Sequence, residues 1–372
     1  MKIYVTGTRG IPGIPGGVER HCQELYPLIA ARGHEVTVAT RSPYIMHKTE
    51  QWNGVYLDHL HAFRRKSLEA IAHTFMAVIR ARLSGADILH IHAVGPGLLV
   101  LMARLLRLRV VLTNHGPDYD RQKWGRLAKK MLRLGEWCGG RYAHEVIVIS
   151  KTIQNNITQR CARQVNLIYN GVSLPRQSNS TAFLQKIKVQ PGGYILAVSR
   201  LVPEKGLHLL IEAFKDFSAQ YQLVIAGDAD HETAYSRDLK KKMAADSRIV
   251  HAGYIYGENL NQVYTNACLF VLPSFHEGLP IALLEAMSFG LSALVSDIPA
   301  NVEVELPAER YFRTGSASDL KNKMAMLLEK KISSEERLHQ LSMISNKYNW
   351  NTIAEQTIEV YENVIKNRKS VL

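Results

Sequence analysis

Short apolar runs alternate with stretches of helical periodicity along most of this chain, and the alternation predicts its elements. Residues 3–6 read as a strand. Residues 18–32 read as a helix that stops at Gly33. Further strands are predicted over 35–40, 86–92, 109–114, 145–150 and 164–169, with helices over 98–107, 121–138 and 151–159. Strands that alternate with helices in this way pair in parallel, so the first half predicts a doubly wound α/β sheet. Periodicity lapses over 171–190, where Leu174-Pro175-Arg176-Gln177-Ser178-Asn179-Ser180 marks an interdomain linker. The second half repeats the pattern, with strands over 194–199, 222–226, 248–251, 268–272 and 292–296 and helices between them. Two Rossmann-like domains are therefore expected, over 1–171 and 190–349, followed by a terminal helix over 350–367.

Length agrees with two domains, since 372 residues exceed the usual size of one. Hydrophobic residues make up 46% and charged residues 21%, enough apolar material for two cores. Cys22, Cys138, Cys161 and Cys268 lie far apart with no C-x-x-C pair, which argues against a disulfide framework or a cysteine zinc site. With a strand read from residue 3 and no charged-then-apolar segment ahead of it, no signal peptide is expected, and the most apolar segment, 97–113, is broken by Arg104, Arg107 and Arg109. A cytoplasmic protein, soluble or peripheral at the inner face of the cell membrane, fits these features. The net charge of +13 favours anionic partners. It is concentrated in the first half, at Arg64-Arg65-Lys66 and most densely between Arg121 and Arg133.

The most informative chemistry lies at Glu277 and Glu285, in the run His276-Glu277-Gly278-Leu279-Pro280-Ile281-Ala282-Leu283-Leu284-Glu285. An apolar strand precedes the run, and a helix is predicted near 280–289, with Pro280 in its first turn and Gly290 as its stop. The end of a parallel strand and the start of the next helix frame the crevice where open α/β sheets bind ligands. Free N–H groups at a helix start attract phosphate, and two carboxylates can accept hydrogen bonds from sugar hydroxyls. Both together ask for a ligand with anionic and polyol parts, such as a nucleotide sugar. The run resembles the Glu-x7-Glu motif of the retaining glycosyltransferases of family 4, which have the GT-B fold. That resemblance implies two Rossmann-like domains facing a cleft, with a C-terminal helix that crosses back to the first domain on anchors such as Trp350 and Tyr361. It implies that Glu285 holds ribose hydroxyls, that Glu277 holds the transferred sugar, and that Gly278, Leu279 and Pro280 line the substrate.

Other segments carry the same resemblance. The loop from Gly7 to Gly17 follows the first strand and opens a helix, so its glycines allow close approach to a ligand. The spacing G-x-G-x-x-G is absent, and the second strand ends at Thr40-Arg41 rather than at an acidic residue, which argues against a nicotinamide dinucleotide. Gly16-Gly17-Val18-Glu19 instead resembles the family's G-G-x-E loop on the donor phosphate and acceptor side. Ser199-Arg200-Leu201-Val202-Pro203-Glu204-Lys205-Gly206 resembles its G-R-L-x-x-x-K-G segment, with Ser199 in place of the usual glycine. Arg200 and Lys205 would then stabilise negative charge on a departing diphosphate. His115, in Thr113-Asn114-His115-Gly116, resembles the strand-end histidine that contacts the donor sugar. His90 and His92 are expected in core or cleft-lining roles. Gly227, Tyr254 and Asn170 fall in segments similar to those near the nucleobase, the sugar and the end of the first domain.

Asp118-Tyr119-Asp120 and Asp228-Ala229-Asp230 could each hold a metal, but neither has the context of a metal-dependent glycosyltransferase, and no metal is expected. The segment from Arg121 to Cys138 mixes cations with Trp124, Leu127, Met131, Leu132 and Trp137, so an anionic membrane surface is an expected partner. The combined expectation is a retaining, metal-independent glycosyltransferase. It would move a hexose-type sugar from a nucleotide sugar to an acceptor hydroxyl, with catalytic roles for His115, Arg200, Lys205 and Glu277. A lipid-linked saccharide of bacterial surface polysaccharide synthesis is the expected acceptor. No paired-carboxylate nucleophile is evident, so same-face attack is expected. Three alternatives stay open: a non-hydrolysing sugar-nucleotide epimerase on the same fold, a basic nucleic-acid-binding protein, and an NADPH-dependent dehydrogenase, against which the glycine spacing counts. No nucleic-acid motif supports the second, and no nucleic-acid partner is expected.

Overall fold

The computed structural model describes residues 1–14, 16–45, 49–61, 69–116, 119, 125–175, 178–217, 220–229, 231–330 and 332–366. Contacts divide the chain into two units, Met1–Gly171 with Tyr348–Leu372, and Val172–Lys347.

In the first unit the described elements run β1 (Lys2–Thr6), α1 (Gly17–Ala31), β2 (Glu35–Arg41), β3 (Gln51–Trp52), β4 (Val55–Leu60), α2 (Glu69–Leu83) and β5 (Ile88–His92). They continue as α3 (Val100–Leu105), β6 (Val110–Asn114), α4 (Arg126–Tyr142), β7 (Glu145–Val148), α5 (Lys151–Cys161) and β8 (Asn166–Leu167). The sheet order is β3-β4-β2-β1-β5-β6-β7-β8. Every pairing is parallel except β3 with β4. Parallel strands covered on both faces read as near-continuous apolar runs, as Ile3, Val5, Val36, Val38, Ile88 and Val111 do in the core. Ser150 caps α5 by accepting from the N–H of Ile153 at 3.3 Å.

The second unit holds α6 (Ala182–Lys186), β9 (Tyr194–Val198), α7 (Leu207–Lys215), β10 (Gln222–Ala226), α8 (Ala234–Ala244), β11 (Ile249–Gly253) and α9 (Glu258–Thr265). These are followed by β12 (Leu269–Leu272), α10 (Ile281–Ser288), β13 (Ala293–Ser296), α11 (Pro299–Val302), β14 (Tyr311–Phe312), α12 (Ala317–Glu329) and α13 (Ser334–Lys347). Its six strands are all parallel, in the order β11-β10-β9-β12-β13-β14. In each sheet the order reverses beside the first strand, between β1 and β5 and between β9 and β12. Such switch points are where doubly wound sheets receive ligands.

The chain then returns to the first unit as α14 (Trp350–Lys366), whose Trp350, Ile353, Ala354, Val360, Tyr361 and Val364 join the core around β1 and α1. Gly171 is required there, because a Cβ on it would lie 2.4 Å from the Trp350 ring.

Four expectations are corrected. The helix over 98–107 is a 3-10 turn at Pro96–Leu99 followed by the shorter α3, with Arg107 at φ 59° past its end. The segment 171–190 is not wholly linker: α6 lies within it and is tied to the second unit, where the Phe183 N–H donates to Gln262 Oε1 at 2.8 Å. The second unit therefore begins at Val172 rather than 190 and ends at Lys347. Pro280 precedes α10 instead of lying in its first turn. The basic helix is described from Arg126 and extends past Cys138 to Tyr142. Arg121 to Trp124 and residue 367 lie outside the described residues.

Candidate functional site

In the second unit, the loop after β9 meets the loop after β12 at the switch point. Gly206 has φ 65°, and a Cβ there would stand 2.0 Å from the Pro273 carbonyl oxygen. The Phe275 N–H donates to the Glu204 carbonyl at 2.9 Å. This close approach brings Lys205 onto Glu277: Nζ donates to Oε1 at 2.6 Å and to Oε2 at 2.7 Å. Ser274 Oγ donates to the same Oε1 at 2.6 Å. The pair is mostly enclosed, with the Lys205 side chain 18% exposed and that of Glu277 8%. Gly278, Leu279 and Pro280 carry the chain from Glu277 into α10. Glu285 lies on α10 and accepts from the hydroxyl of the buried Tyr264 at 3.1 Å.

The strand ends beside this pair are equally tight. Gly227 has φ 121°, and a Cβ there would meet the Ser199 carbonyl oxygen at 2.1 Å. Its N–H donates to the Gly253 carbonyl at 2.7 Å, which joins the ends of β9, β10 and β11. Tyr254 follows and is 45% exposed. Arg200 lies half-buried just past β9. Asp228 pairs with Lys240 at 2.8 Å, while Asp118, Asp120 and Asp230 lie outside the described residues.

In the first unit the glycine loop after β1 leans over β5, since a Cβ on Gly7 would stand 2.0 Å from the His92 carbonyl oxygen. Glu19 folds back beneath Gly16 and accepts from the Arg9 backbone N–H and Nε, each at 3.1 Å, and from Nη2 at 3.3 Å. A Cβ on Gly16 would lie 2.0 Å from Glu19 Oε2, whereas Gly17 faces open space.

His115 follows β6, where the buried Glu136 anchors the strand end. Glu136 accepts from Asn114 Nδ2 at 3.2 Å, Tyr119 OH at 3.0 Å and Arg160 Nη1 at 2.7 Å. The His115 ring belongs to a group of imidazoles. Its Nε2 is 2.9 Å from His92 Nδ1, and His21 on α1 meets it edge-on at 5.0 Å between ring centroids. His92 Nε2 lies 2.6 Å from Tyr26 OH. His90, two positions earlier on the same strand face, stacks on His92 at 4.3 Å and bonds Thr113 and Tyr361. Asn170, just past β8, places Oδ1 2.7 Å from His21 Nδ1. Burial lowers His21 and His90 to about 3, with the neighbouring imidazoles adding to the shift, and drives His92 and His115 down in the same way. The rings are neutral at pH 7.

The sequence motifs located His115 and Asn170 but missed His21, Glu19's partner Arg9, and Glu136. His21 carried a signal: it lies on the helix opened by Gly16-Gly17-Val18-Glu19, one turn in. Arg9 and Glu136 depend on loop and helix packing and had none. The ligand nitrogens of His21, His92 and His115 lie within 4.8 Å of one another, close enough to hold a metal.

Helix α4 buries Gly135, Glu136, Cys138, Gly139 and Gly140, and a Cβ on Gly135 would stand 2.4 Å from the Val94 carbonyl oxygen. The face it packs inward is thus its glycine face. Leu127, Met131, Leu134 and Trp137 stay exposed, next to Arg126, Lys130, Arg133 and Arg141. Among the described residues no helix is long and apolar enough to cross a membrane.

Residues 15–176 match the model of Glycosyltransferase Family 4, and residues 181–350 match that of Glycosyl transferases group 1. An uncharacterized glycosyltransferase of Methanocaldococcus jannaschii is 26% identical over 97% of this chain and 98% of its own length. The N,N'-diacetylbacillosaminyl-diphospho-undecaprenol alpha-1,3-N-acetylgalactosaminyltransferase of Campylobacter jejuni is 26% identical over 50% of this chain and 48% of its own. Among solved structures, HepE of Anabaena, in complex with UDP and glucose, has a TM-score of 0.80 at 18% identity, covering 98% of this chain and 100% of that one. The fold of this chain is GT-B. Between them the two family matches span most of both units, and the chain belongs to the family 4 glycosyltransferases.

Proposed function

We propose that the protein transfers a hexose-type sugar, with retention of anomeric configuration, from a nucleotide sugar to a hydroxyl of a lipid-linked saccharide. The observation that carries this reading is the Lys205–Glu277 pair at the switch point of the second unit, with Glu285 eight residues further on α10. Glu285, steadied by Tyr264, accepts hydrogen bonds from the ribose, and Glu277 accepts from hydroxyls of the sugar. Arg200 and Lys205 offset charge on the diphosphate as the bond from sugar C1 to the phosphate oxygen breaks. The acceptor oxygen bonds to C1 on the same face, and its proton passes to the departing phosphate oxygen. In this scheme the cationic side chains do the electrostatic work of a metal. To the first unit we assign the acceptor, the Gly16-Gly17 loop, and His115 as a neutral imidazole that hydrogen-bonds the sugar.

Two observations support a lipid-linked acceptor: the Campylobacter relative's substrate carries undecaprenol diphosphate, and α4 presents an exposed apolar stripe flanked by cations. The protein is accordingly assigned to the cytoplasmic side of the membrane as a peripheral enzyme. Calorimetry with UDP-, GDP- and dTDP-linked sugars, without added metal, tests the donor site. One nucleotide class should bind wild type and fail to bind Glu285→Ala. No binding across the panel by folded protein would overturn the assignment. Transfer to a short-chain lipid diphosphate saccharide, with the anomer read by NMR, tests acceptor and stereochemistry.

A further inference from the structure

We propose that His21, His92 and His115 form a binding site for one divalent transition-metal ion of the zinc type, each ring giving one nitrogen. The three ligand nitrogens lie within 4.8 Å of one another. Tetrahedral zinc with Zn–N bonds of the usual length holds its ligand atoms about 3.3 Å apart. His92 Nδ1 and His115 Nε2, at 2.9 Å, are already close to that spacing. His21 supplies the third nitrogen. Its Nδ1 faces Asn170 Oδ1 at 2.7 Å, and an amide oxygen only accepts, so the ring carries its proton on Nδ1 and a lone pair on Nε2. That Nε2 is buried and has no hydrogen-bond partner, an arrangement that costs free energy unless something occupies the lone pair.

The surrounding contacts match those found behind metal-bound imidazoles, whose outer nitrogen is held by an oxygen. Asn170 does this for His21. Tyr26 OH does it for His92, at 2.6 Å from Nε2, and the same hydroxyl lies 3.0 Å from His90 Nδ1, to which it can pass its own proton. The rings come from three elements that meet at the β1/β5 switch point: α1, the end of β5 and the loop after β6. His115 is the half-buried member and gives an ion its route from solvent. Three histidines leave a fourth position for water or a ligand oxygen. This is not a metal of the transfer reaction. An ion here takes up His115 Nε2 and fixes the ring that the proposed function assigns to the sugar, so occupancy blocks transfer; that consequence, unlike the site itself, rests on the proposed function.

The full-length protein, stripped with chelator, is titrated with cobalt(II), followed by its visible absorption and by zinc displacement. One equivalent should bind with a tetrahedral spectrum. His21→Gln, which keeps a polar side chain beside Asn170, and His115→Ala should each abolish it, while Asn170→Ala should weaken it about 10- to 100-fold. His231→Ala, at an exposed histidine, should bind as wild type. Circular dichroism and a cooperative thermal transition confirm that each variant is folded. No stoichiometric cobalt binding by wild type, or binding unchanged in folded His21→Gln and His115→Ala, overturns the site. Zinc should also inhibit transfer by wild type. Cobalt binding without such inhibition overturns the claim on His115 alone, and a failure of donor binding with the cobalt titration intact overturns the glycosyltransferase mechanism instead.

Discussion

Lys205 Nζ donates to both carboxylate oxygens of Glu277, at 2.6 and 2.7 Å, across the point where the second sheet reverses its strand order. A mostly enclosed pair of this kind is a poor device for stability alone, because desolvation offsets much of the attraction. Its location at the end of β9 and β12 fits a role with a charged, hydroxyl-rich ligand.

Substituting one partner leaves the other enclosed without its counter-charge. Lys205→Met and Glu277→Leu should each destabilise the second unit by about 3 kcal/mol. The double variant should recover most of that loss, which thermal denaturation of all three will show. None should regain activity. Loss of one donor of transition-state charge costs about 100- to 1000-fold in turnover, so Lys205→Met should fall at least that far even at saturating donor. A double variant as unstable as the sum of the singles would mean the pair is not the relevant contact.

Gly16 and Gly17 look interchangeable in sequence and are not so in the fold. Gly16 has φ 148° and no room for a Cβ beside Glu19, whereas a Cβ on Gly17 meets nothing within 4 Å. Gly16→Ala should push Glu19 off Arg9 and destabilise the first unit by about 1–3 kcal/mol, the usual cost of forced backbone strain. Gly17→Ala should leave the melting temperature nearly unchanged. Equal effects would refute this reading of the loop.

Acid should loosen the first unit through histidines that are buried neutral. His73 is lowered to about 4 by burial and then by the charge of Arg41. His144 is lowered to about 4 by burial and by Arg104, Arg109 and Arg163, while its Nδ1 accepts the Val110 N–H at 2.9 Å. Their folded values lie below the unfolded 6.5, so the unfolded chain binds more protons between about pH 4 and 6.5. Stability is therefore full above 6.5 and declines as pH falls, by about 1.4 kcal/mol per pH unit for each group. Denaturant unfolding from pH 7.5 to 4.5 should show this slope, and His144→Gln should reduce it by one proton's share. A flat profile would sink the argument.

Strand-helix alternation made both sheets legible, because parallel strands buried on two faces announce themselves as apolar runs such as Leu269 to Leu272. Strand β4 escaped, since Tyr56 and Asp58 interrupt its apolar residues and it lies near the sheet edge. Strand β14 escaped because two residues carry no period. In the site, Lys205 and Glu277 were each legible from their strand-loop-helix context, but their contact was not. It depends on Gly206 abutting the Pro273 carbonyl, a spatial meeting of loops far apart in the chain. The histidine group was half legible: His90 and His92 share a strand face by spacing alone, whereas His21 joins them only through the path of α1.

Helix α4 makes the last prediction. Apolar residues on an amphipathic helix ordinarily mark its buried face, yet here glycines fill that role and Leu127, Met131, Leu134 and Trp137 remain exposed. Exposed apolar groups flanked by Arg126, Lys130, Arg133 and Arg141 suit an anionic lipid surface, where the stripe enters the headgroup region and the cations meet phosphate. The protein should sediment with vesicles containing phosphatidylglycerol and much less with phosphatidylcholine alone. Each cation near the surface contributes about 1 kcal/mol, so Lys130→Gln should weaken the partition roughly fivefold, and added salt should erase the difference. Leu134→Ser with Trp137→Ser should weaken it further and leave nucleotide-sugar binding in the second unit intact. Vesicle binding indifferent to both the charge and the apolar substitutions would mean that α4 does not face the membrane.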